Sequence, residues 1–369
     1  MKPYTPNELP ISDLDYQTLF ALVGNANAEL ARYDGLLQGI PNPEVMLSPL
    51  TTQEAVLSSK IEGTQATVDE VLEHEAGIIK SDEKEKDIQE ILNYREALFV
   101  SREYLENYPI KLGFICELHK ILLKSVRGQD KTPGSFRKEQ NWIGRAGCSI
   151  DKASFIPPSP LILDEFLQKW ETYIAFSESD LLLQMAVVHA QFELLHPFKD
   201  GNGRIGRLLI PLFLYQKKAL SQPMFYLSEY LESYREEYYQ KLKAISETGD
   251  WNGWIVFFLQ AVTKQAKTNS IRVRSIMALY EEIKIKIQKV TRSQYSLFLL
   301  DAIFSKPIFQ VSDLVKKLKK EHQVHEKTTA NLLKQLKDAG ILKELQPSKG
   351  RRSAVLYFPL LIQCTEGIA

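Results

Sequence analysis

The chain has 369 residues in which 46 Lys and Arg balance 46 Asp and Glu, so no global field draws it toward nucleic acid or an anionic membrane. With 44% hydrophobic and 25% charged residues, its composition excludes a disordered or fibrous chain and fits one large globular domain or two to three smaller ones. The longest apolar run, LLIPLFLY at 208–215, is too short to cross a bilayer, and Cys116, Cys148 and Cys364 form no CxxC pair.

In chain order, MKPYTPNELPIS reads as a Pro-rich extended arm without the apolar core of a signal peptide. With three widely spaced cysteines read as reduced thiols, the expectation is a cytoplasmic protein with no membrane role. An amphipathic helix follows over 13–37, then GIPNPEVMLSP at 39–49 as a loop. Thr51-Thr52-Gln53-Glu54 has capping-box form and predicts a short helix through EAVLSSKI, ending near Gly63. Thr67-x-x-Glu70 offers a second box for a helix over TVDEVLEHEAGI.

Helical spacing continues over 83–107, 111–126, 160–176 and 181–195. Between Gly134 and Pro160 the pattern breaks, and WIG (142–144) with ASFIPP (153–158) predicts a small β-hairpin. Helices resume near 204–217, 229–247 and 252–288. Past residue 290, SLFLLDAIF, VSDLVKKLKKE and TTANLLKQLKDAGIL predict three short helices, and ILKEL and AVLYF two strands about the basic turn QPSKGRRS. That is a winged helix-turn-helix order. Residues 306–352 carry twelve Lys and Arg against five Asp and Glu, so the neutral chain concentrates positive charge in its tail. DNA contact through 291–369 and protein docking or dimerisation both remain open there.

The densest chemistry lies at 196–207, HPFKDGNGRIGR. Gly201-Asn202-Gly203-Arg204-Ile205-Gly206 matches G-x-G-x-x-G, but a helical pattern precedes it and the nearest downstream acid is Glu229, so a dinucleotide fold fails on context. A Walker loop lacks its Gly-Lys-Ser/Thr. Glu193-x-x-His196 resembles one arm of a di-iron site, but no second arm exists; His189 and Glu193 read better as polar residues holding neighbouring loops.

A helix starting at the glycines fits every position. Ile205, Leu208, Leu209, Leu212 and Phe213 form its buried stripe, and its first NH groups face an anion. Gly201 and Gly203 let backbone NH groups approach phosphate oxygens, and Arg204 and Arg207 lie one turn apart within reach. Asp200 can hold a magnesium ion bridging phosphates, and His196, ahead of Pro197, suits a general base.

At these residues the chain resembles the Fic (filamentation induced by cAMP) family of nucleotidyltransferases, whose motif H-P-F-x-[D/E]-G-N-[G/K]-R-x-x-R is matched throughout. The resemblance covers about residues 1–290. It implies a mostly α fold: an N-terminal helical region over 1–110 with an inhibitory helix at about 51–63, and a catalytic core over 111–290. The winged-helix-like tail at 291–369 is a frequent appendage. FRKEQNWIGRAGCSIDKASFIPPSP looks like the family's hairpin flap, with Ile143 and Gly144 placed to align a target. Tyr238-Tyr239 matches a tyrosine pair that contacts the nucleotide base, while Ser246, or a displaced residue, stands where an Asn is frequent. Ser58-x-x-x-Glu62-Gly63 matches the inhibitory [S/T]-x-x-x-E-[G/N] signature.

The resemblance further implies transfer of AMP from ATP, with Mg2+, to a Ser, Thr or Tyr hydroxyl of a target protein or of the chain itself. His196 would be the base and Asp200 the metal ligand. The phosphates would rest on Gly201, Asn202, Gly203, Arg204, Ile205, Gly206 and Arg207, for which Glu62 competes. AMP removal, transfer of another phosphate-containing group, a DNA-binding regulator whose core senses nucleotide, and a homodimer stay open.

Overall fold

The computed structural model describes residues 2–126, 131–145, 147–350 and 352–366. Ala146 of the expected flap and Arg351 of the basic turn therefore lie outside the described residues. The first helices are α1 (Tyr16–Gln38), α2 (Pro43–Met46), α3 (Ser48–Ile61), α4 (Val68–Glu75), α5 (Asp82–Leu105) and α6 (Leu112–Leu122). Next come α7 (Pro160–Ala175), α8 (Leu181–Leu195), α9 (Asn202–Gln216), α10 (Ser228–Ser233), α11 (Arg235–Thr248) and α12 (Trp251–Thr291). The tail holds α13 (Ser296–Ser305), β1 (Ile308–Gln310), α14 (Val311–His322), α15 (Glu326–Asp338), β2 (Lys343–Gln346), β3 (Val355–Tyr357) and α16 (Pro359–Glu366). The chain is mostly α, as its periodicity implies.

Contacts divide it into two compact units, Met1–Asp34 with Leu57–Thr64 and Gln89–Lys267, and Gly35–Val56 with Gln65–Ile88 and Thr268–Ala369. The first is built around α8, whose residues are buried on every side, as an all-round apolar helix must be. Asp180 caps it, accepting from the NH groups of Leu182 (2.8 Å) and Leu183 (3.0 Å). The indoles of Trp170 and Trp254 donate to the carbonyls of Val188 and Ala186, which pins α8 between α7 and α12. α9 packs beside it, burying Ile205, Leu208, Leu209, Leu212 and Phe213 as the expected stripe.

In the second unit β1, β3 and β2 form an antiparallel sheet in the order β1-β3-β2, with Ile308 opposite Tyr357 and Lys343 opposite Tyr357. Helix–strand–helix–helix–strand–strand is the winged-helix order. α4 covers β1, packing Leu72 and Ala76 against Ile308 and Val355, and Gln310 donates to the Ala76 carbonyl (2.9 Å).

Four local expectations change. The helix expected at Thr51 begins at Ser48, because Pro49 is tolerated in a first turn, and the Thr51 hydroxyl instead donates to the Leu47 carbonyl (3.3 Å). The 39–49 loop contains α2, also started by a proline. The 229–247 helix divides at Tyr234, where Tyr230 and Tyr234 stack and Lys264 lies over both rings. Strand β1 and helix α16 are additional.

The second capping box forms as written: Glu70 NH donates to Thr67 Oγ1 (3.2 Å) and Thr67 NH to Glu70 Oε2 (2.9 Å). Thr67→Ala should cost about 1 kcal/mol in denaturant unfolding, and Thr67→Ser close to nothing.

Candidate functional site

α8 ends at His196, which adopts a left-handed conformation (φ 45°) before Pro197. A proline disfavours helix for its predecessor, and a non-glycine residue at positive φ needs outside support. Arg137 supplies it. Its Nε donates to the His196 carbonyl (2.9 Å), its Nη2 to the Pro158 carbonyl (2.6 Å), and its backbone NH to the Pro197 carbonyl (2.8 Å). A carbonyl only accepts, so His196 Nδ1 carries the proton it shares with the Glu193 carbonyl (3.3 Å), leaving Nε2 as a proton acceptor. Burial pushes this imidazole down to about 4, which keeps it neutral near pH 7.

The loop between α8 and α9 is closed by Asn202, which accepts from Phe198 NH (2.8 Å) and donates to the Phe198 carbonyl (2.9 Å). Its side chain is thus a staple rather than a phosphate donor, and only its backbone is placed for a ligand. Gly201, at φ 77°, turns the chain into α9. His119 underlies the turn. It accepts from Gly134 NH at Nδ1 (2.9 Å), donates from Nε2 to the Asp200 carbonyl (2.9 Å), and stacks on Phe198. The Asp200 side chain, 45% exposed, takes the Gly201 NH on Oδ1 (2.6 Å). Among the described residues no group of three or more His, Cys, Asp or Glu could hold a metal. Asp200 alone therefore suits an ion held by one carboxylate together with substrate phosphates, which is how magnesium is commonly bound.

The two arginines are both buried and differently used. Arg207 donates from Nε to Ser58 Oγ (2.9 Å) and from Nη2 to the Ser58 carbonyl (2.8 Å) and Glu62 Oε1 (2.6 Å). Burial raises the Glu62 carboxyl, but the charge and hydrogen bond of Arg207, with Arg204 and His196 behind, bring it below its ordinary range. A Cβ on Gly203 would lie 2.2 Å from Glu62 Oε1, so the glycine is what admits an anion to the start of α9. In this structure that anion is Glu62. Gly63 turns the chain at φ 99° directly after it. Arg204 faces Glu90, with Nη1 3.3 Å from Oε2, and the Thr64 hydroxyl donates to the same oxygen (3.0 Å).

Glu62, His196, Gly203, Arg207 and Tyr239 line one cavity of about 560 Å3, with Ile143 and Gly144 across from them. That volume lies in the range of nucleotide-sized ligand clefts. Ile143 and Phe155 pair as the expected hairpin, by one antiparallel bridge (Ile143 NH to Phe155 carbonyl, 2.9 Å). Tyr4 of the N-terminal arm donates its NH to the Ile156 carbonyl (2.9 Å), extending the hairpin edge.

The tyrosine pair divides. Tyr239 borders the cavity, while Tyr238 is fully buried and donates to His189 Nε2 (3.0 Å), whose Nδ1 holds the Gly206 carbonyl (3.0 Å). Ile205 is core, and Gly206 gives room to Glu193. His189 is the loop-holder expected of it; Glu193 is not. Its Oε1 is buried with no hydrogen-bond partner, its carboxyl lines the cavity, and burial pushes it up to about 7. Ser246 donates to the Lys243 carbonyl (2.8 Å) and is not part of the lining.

Four residues of the site were not singled out from sequence: His119, Arg137, Glu90 and Thr64. All four are polar side chains fully or almost fully buried in predicted helix or loop, and tertiary pairing is what distinguishes them from surface groups. Thr64 alone carried a signal, lying two residues beyond Glu62.

Three family models match the chain: Fic/DOC family N-terminal over residues 20–103, Fic/DOC family over 109–214, and the C-terminal domain of SoFic-like protein adenylyltransferases over 279–353. It is 26% identical over 203 residues to a probable protein adenylyltransferase of Aquifex aeolicus (strain VF5), covering 52% of this chain and 57% of that protein. It is 29% identical over 179 residues to the protein adenylyltransferase Fic of Drosophila mojavensis, covering 47% of this chain and 32% of the relative. The chain thus spans little more than half the length of the first relative and a third of the second. A crystal structure of a Fic family protein from Desulfovibrio desulfuricans G20 shares the fold at TM-score 0.59 and 20% identity, covering 96% of this chain and 98% of that one. Fic-1 from C. elegans (residues 134–508) gives TM-score 0.51 at 18% identity, covering 71% and 74%.

Two outcomes follow from this geometry. Glu90→Ala takes the nearer and buried carboxylate from the Arg204 guanidinium, leaving half-exposed Asp200 at 3.9 Å, and should cost about 3 kcal/mol in denaturant unfolding. His119, His189 and His196 are held near 4, 3 and 4 by burial, so the unfolded chain binds more protons below its ordinary imidazole range, whereas Glu193, near 7, acts in the opposite sense. Stability should therefore fall as pH drops from about 6.5 toward 4, with a net uptake of about two protons on unfolding, read from denaturation midpoints across pH.

Proposed function

Because the chain belongs to the Fic/DOC family, we propose that it transfers AMP from ATP to a hydroxyl side chain of a target protein and restrains itself through Glu62. The single observation carrying this reading is the anion cradle at the start of α9, where Gly203 makes room for a carboxylate that Arg207 holds, inside a cavity that also contains a neutral His196. Those parts serve a nucleotide triphosphate and a proton acceptor together. A chain that merely sensed nucleotide on behalf of a DNA-binding tail would have no use for an imidazole with a free Nε2, so the transferase reading is favoured.

In the reaction, the target hydroxyl lies along the hairpin edge at Ile143 and Gly144, facing His196. His196 Nε2 accepts the hydroxyl proton as the oxygen attacks the α-phosphorus. The bond from that phosphorus to the bridging oxygen breaks, and pyrophosphate departs. Arg207 and the first NH groups of α9 hold the departing phosphates, with the charge stabilised by donors already in place. Arg204, tied to Glu90, holds the Asp200 side of the loop. Asp200 would carry Mg2+, which when bound neutralises phosphate charge. Before any of this, Glu62 must give up Arg207, because one guanidinium edge cannot serve both anions. The three cysteines without disulfides support a reducing compartment such as the cytoplasm.

Incubation with ATP and magnesium followed by intact mass measurement tests the reading. The target, or the chain itself, should gain one adenylyl group. Glu62→Gly should raise the rate tenfold or more, since a buried Arg–carboxylate pair that must be displaced costs on the order of 2 to 5 kcal/mol. His196→Ala should remove transfer while nucleotide affinity and unfolding stay near wild type. Transfer that persists in His196→Ala, or a Glu62→Gly protein that only removes AMP from a pre-modified target, overturns it.

A further inference from the structure

In the C-terminal module, α15 is amphipathic in an unusual way. Thr329, Leu332, Leu333 and Leu336 are buried, and the opposite face presents Lys327, Ala330, Asn331 and Lys334 to solvent. The β2–β3 hairpin beyond it ends in a tight turn, where Lys349 and Arg352 exchange backbone hydrogen bonds (both 3.0 Å) around Gly350 at φ 60°. Lys349 and Arg352 are exposed. Within this unit α4 covers β1 and α2 packs on α13, so neither takes up the α15 face or the hairpin tip. Lys316, Lys317 and Lys320 are exposed on α14, the helix preceding the turn into α15.

The carboxylates of the region are partly neutralised. Glu326 pairs with Lys319 (2.7 Å) and Glu344 with Lys337 (2.7 Å), while Lys327, Lys334, Lys349 and Arg352 have no acidic partner among the described residues. The surface is also poor in what a protein-docking face needs. The exposed large apolar side chains of the module, Leu297, Phe298, Leu345 and Leu360, sit on α13, β2 and α16, and none lies on the outward face of α15 or at the hairpin tip.

We infer that this module binds duplex DNA, with α15 entering the major groove and Lys349 and Arg352 resting on the phosphate backbone beside it. Lysines on α15 and α14 neutralise phosphates, and Asn331, at the centre of the exposed α15 face, offers the paired donor and acceptor that match the edge of adenine. An α15 residue every three to four positions along one face is the spacing a helix needs to follow a groove. Phosphate contacts dominate such binding, which makes it steeply dependent on salt. The inference concerns residues 311–350 and Arg352, and stands whether or not the core transfers AMP.

Fluorescence anisotropy of the full chain with a labelled mixed-sequence duplex, from low to physiological salt, tests it. Binding should be in the micromolar range or tighter near 0.1 M salt and weaken steeply as salt rises. Lys327→Ala with Lys334→Ala should weaken binding about tenfold or more and reduce the slope of log K against log salt by about two, one for each lost phosphate contact. Lys349→Ala with Arg352→Ala should do the same, while Lys169→Ala, on α7, should change nothing. All four target positions are exposed, so unfolding midpoints should stay near wild type. Absence of binding at low salt, affinity for single-stranded RNA equal to that for the duplex, or variants that bind as tightly as wild type each overturn the assignment. The last two outcomes would turn attention to an RNA or to a basic surface elsewhere.

Discussion

Everything at the site turns on where one guanidinium spends its hydrogen bonds. Arg207 is fully buried, and a cation in that position must be matched by acceptors or it unfolds its surroundings. Here the matching comes from Ser58 and Glu62, at the end of a helix that the sequence delivers from far upstream. The same arginine donates to the carboxylate at the start of α9. A group so placed cannot be idle, and the chain answers by carrying its own anion. Gly203 is the steric permission for this arrangement, and any side chain there would close the cradle to internal and external anions alike.

Around that centre the supporting residues divide the labour. Arg137 and Pro197 fix the backbone at His196, His119 and Asn202 fix the loop that carries Asp200, and Glu90 fixes Arg204. Each fixes a backbone group or a side chain of the α8–α9 loop and the start of α9. Precision here comes from buried polar groups whose partners are satisfied, which rigidify a site more than apolar packing does.

Much of this was legible in the residues themselves. The α9 stripe, the Thr67 box, the hairpin at Ile143 and the tail's three helices and β2–β3 hairpin all follow from spacing and turn chemistry. The Ser58–Glu62 spacing places both side chains on one face, and both meet Arg207. What escaped reading depends on partners distant in the chain. Glu90 looks like any acidic residue in a charged helix until Arg204, 114 positions on, is folded against it. Asn202 sits in a phosphate-like motif yet turns its amide onto Phe198, because a tight loop left Phe198 with unpaired backbone groups to satisfy. Tyr238 and Tyr239 are adjacent in sequence but successive helical positions diverge by about 100°, so one enters the core and the other the cavity. α3 starts at Ser48 and not at Thr51 because two helix-initiating signals, Pro49 and Thr51, compete within a single turn.

Gly63 separates a carboxylate that holds Arg207 from a hydroxyl, on Thr64, that is anchored to Glu90. A competitor tethered two residues from a fixed point has an effective concentration set by chain geometry and not by how much protein is present. Dilution, expression level and turnover therefore leave the occupancy of the cradle unchanged. On the proposed reading, a nucleotide would meet an opponent of constant strength, set by how often Glu62 leaves Arg207.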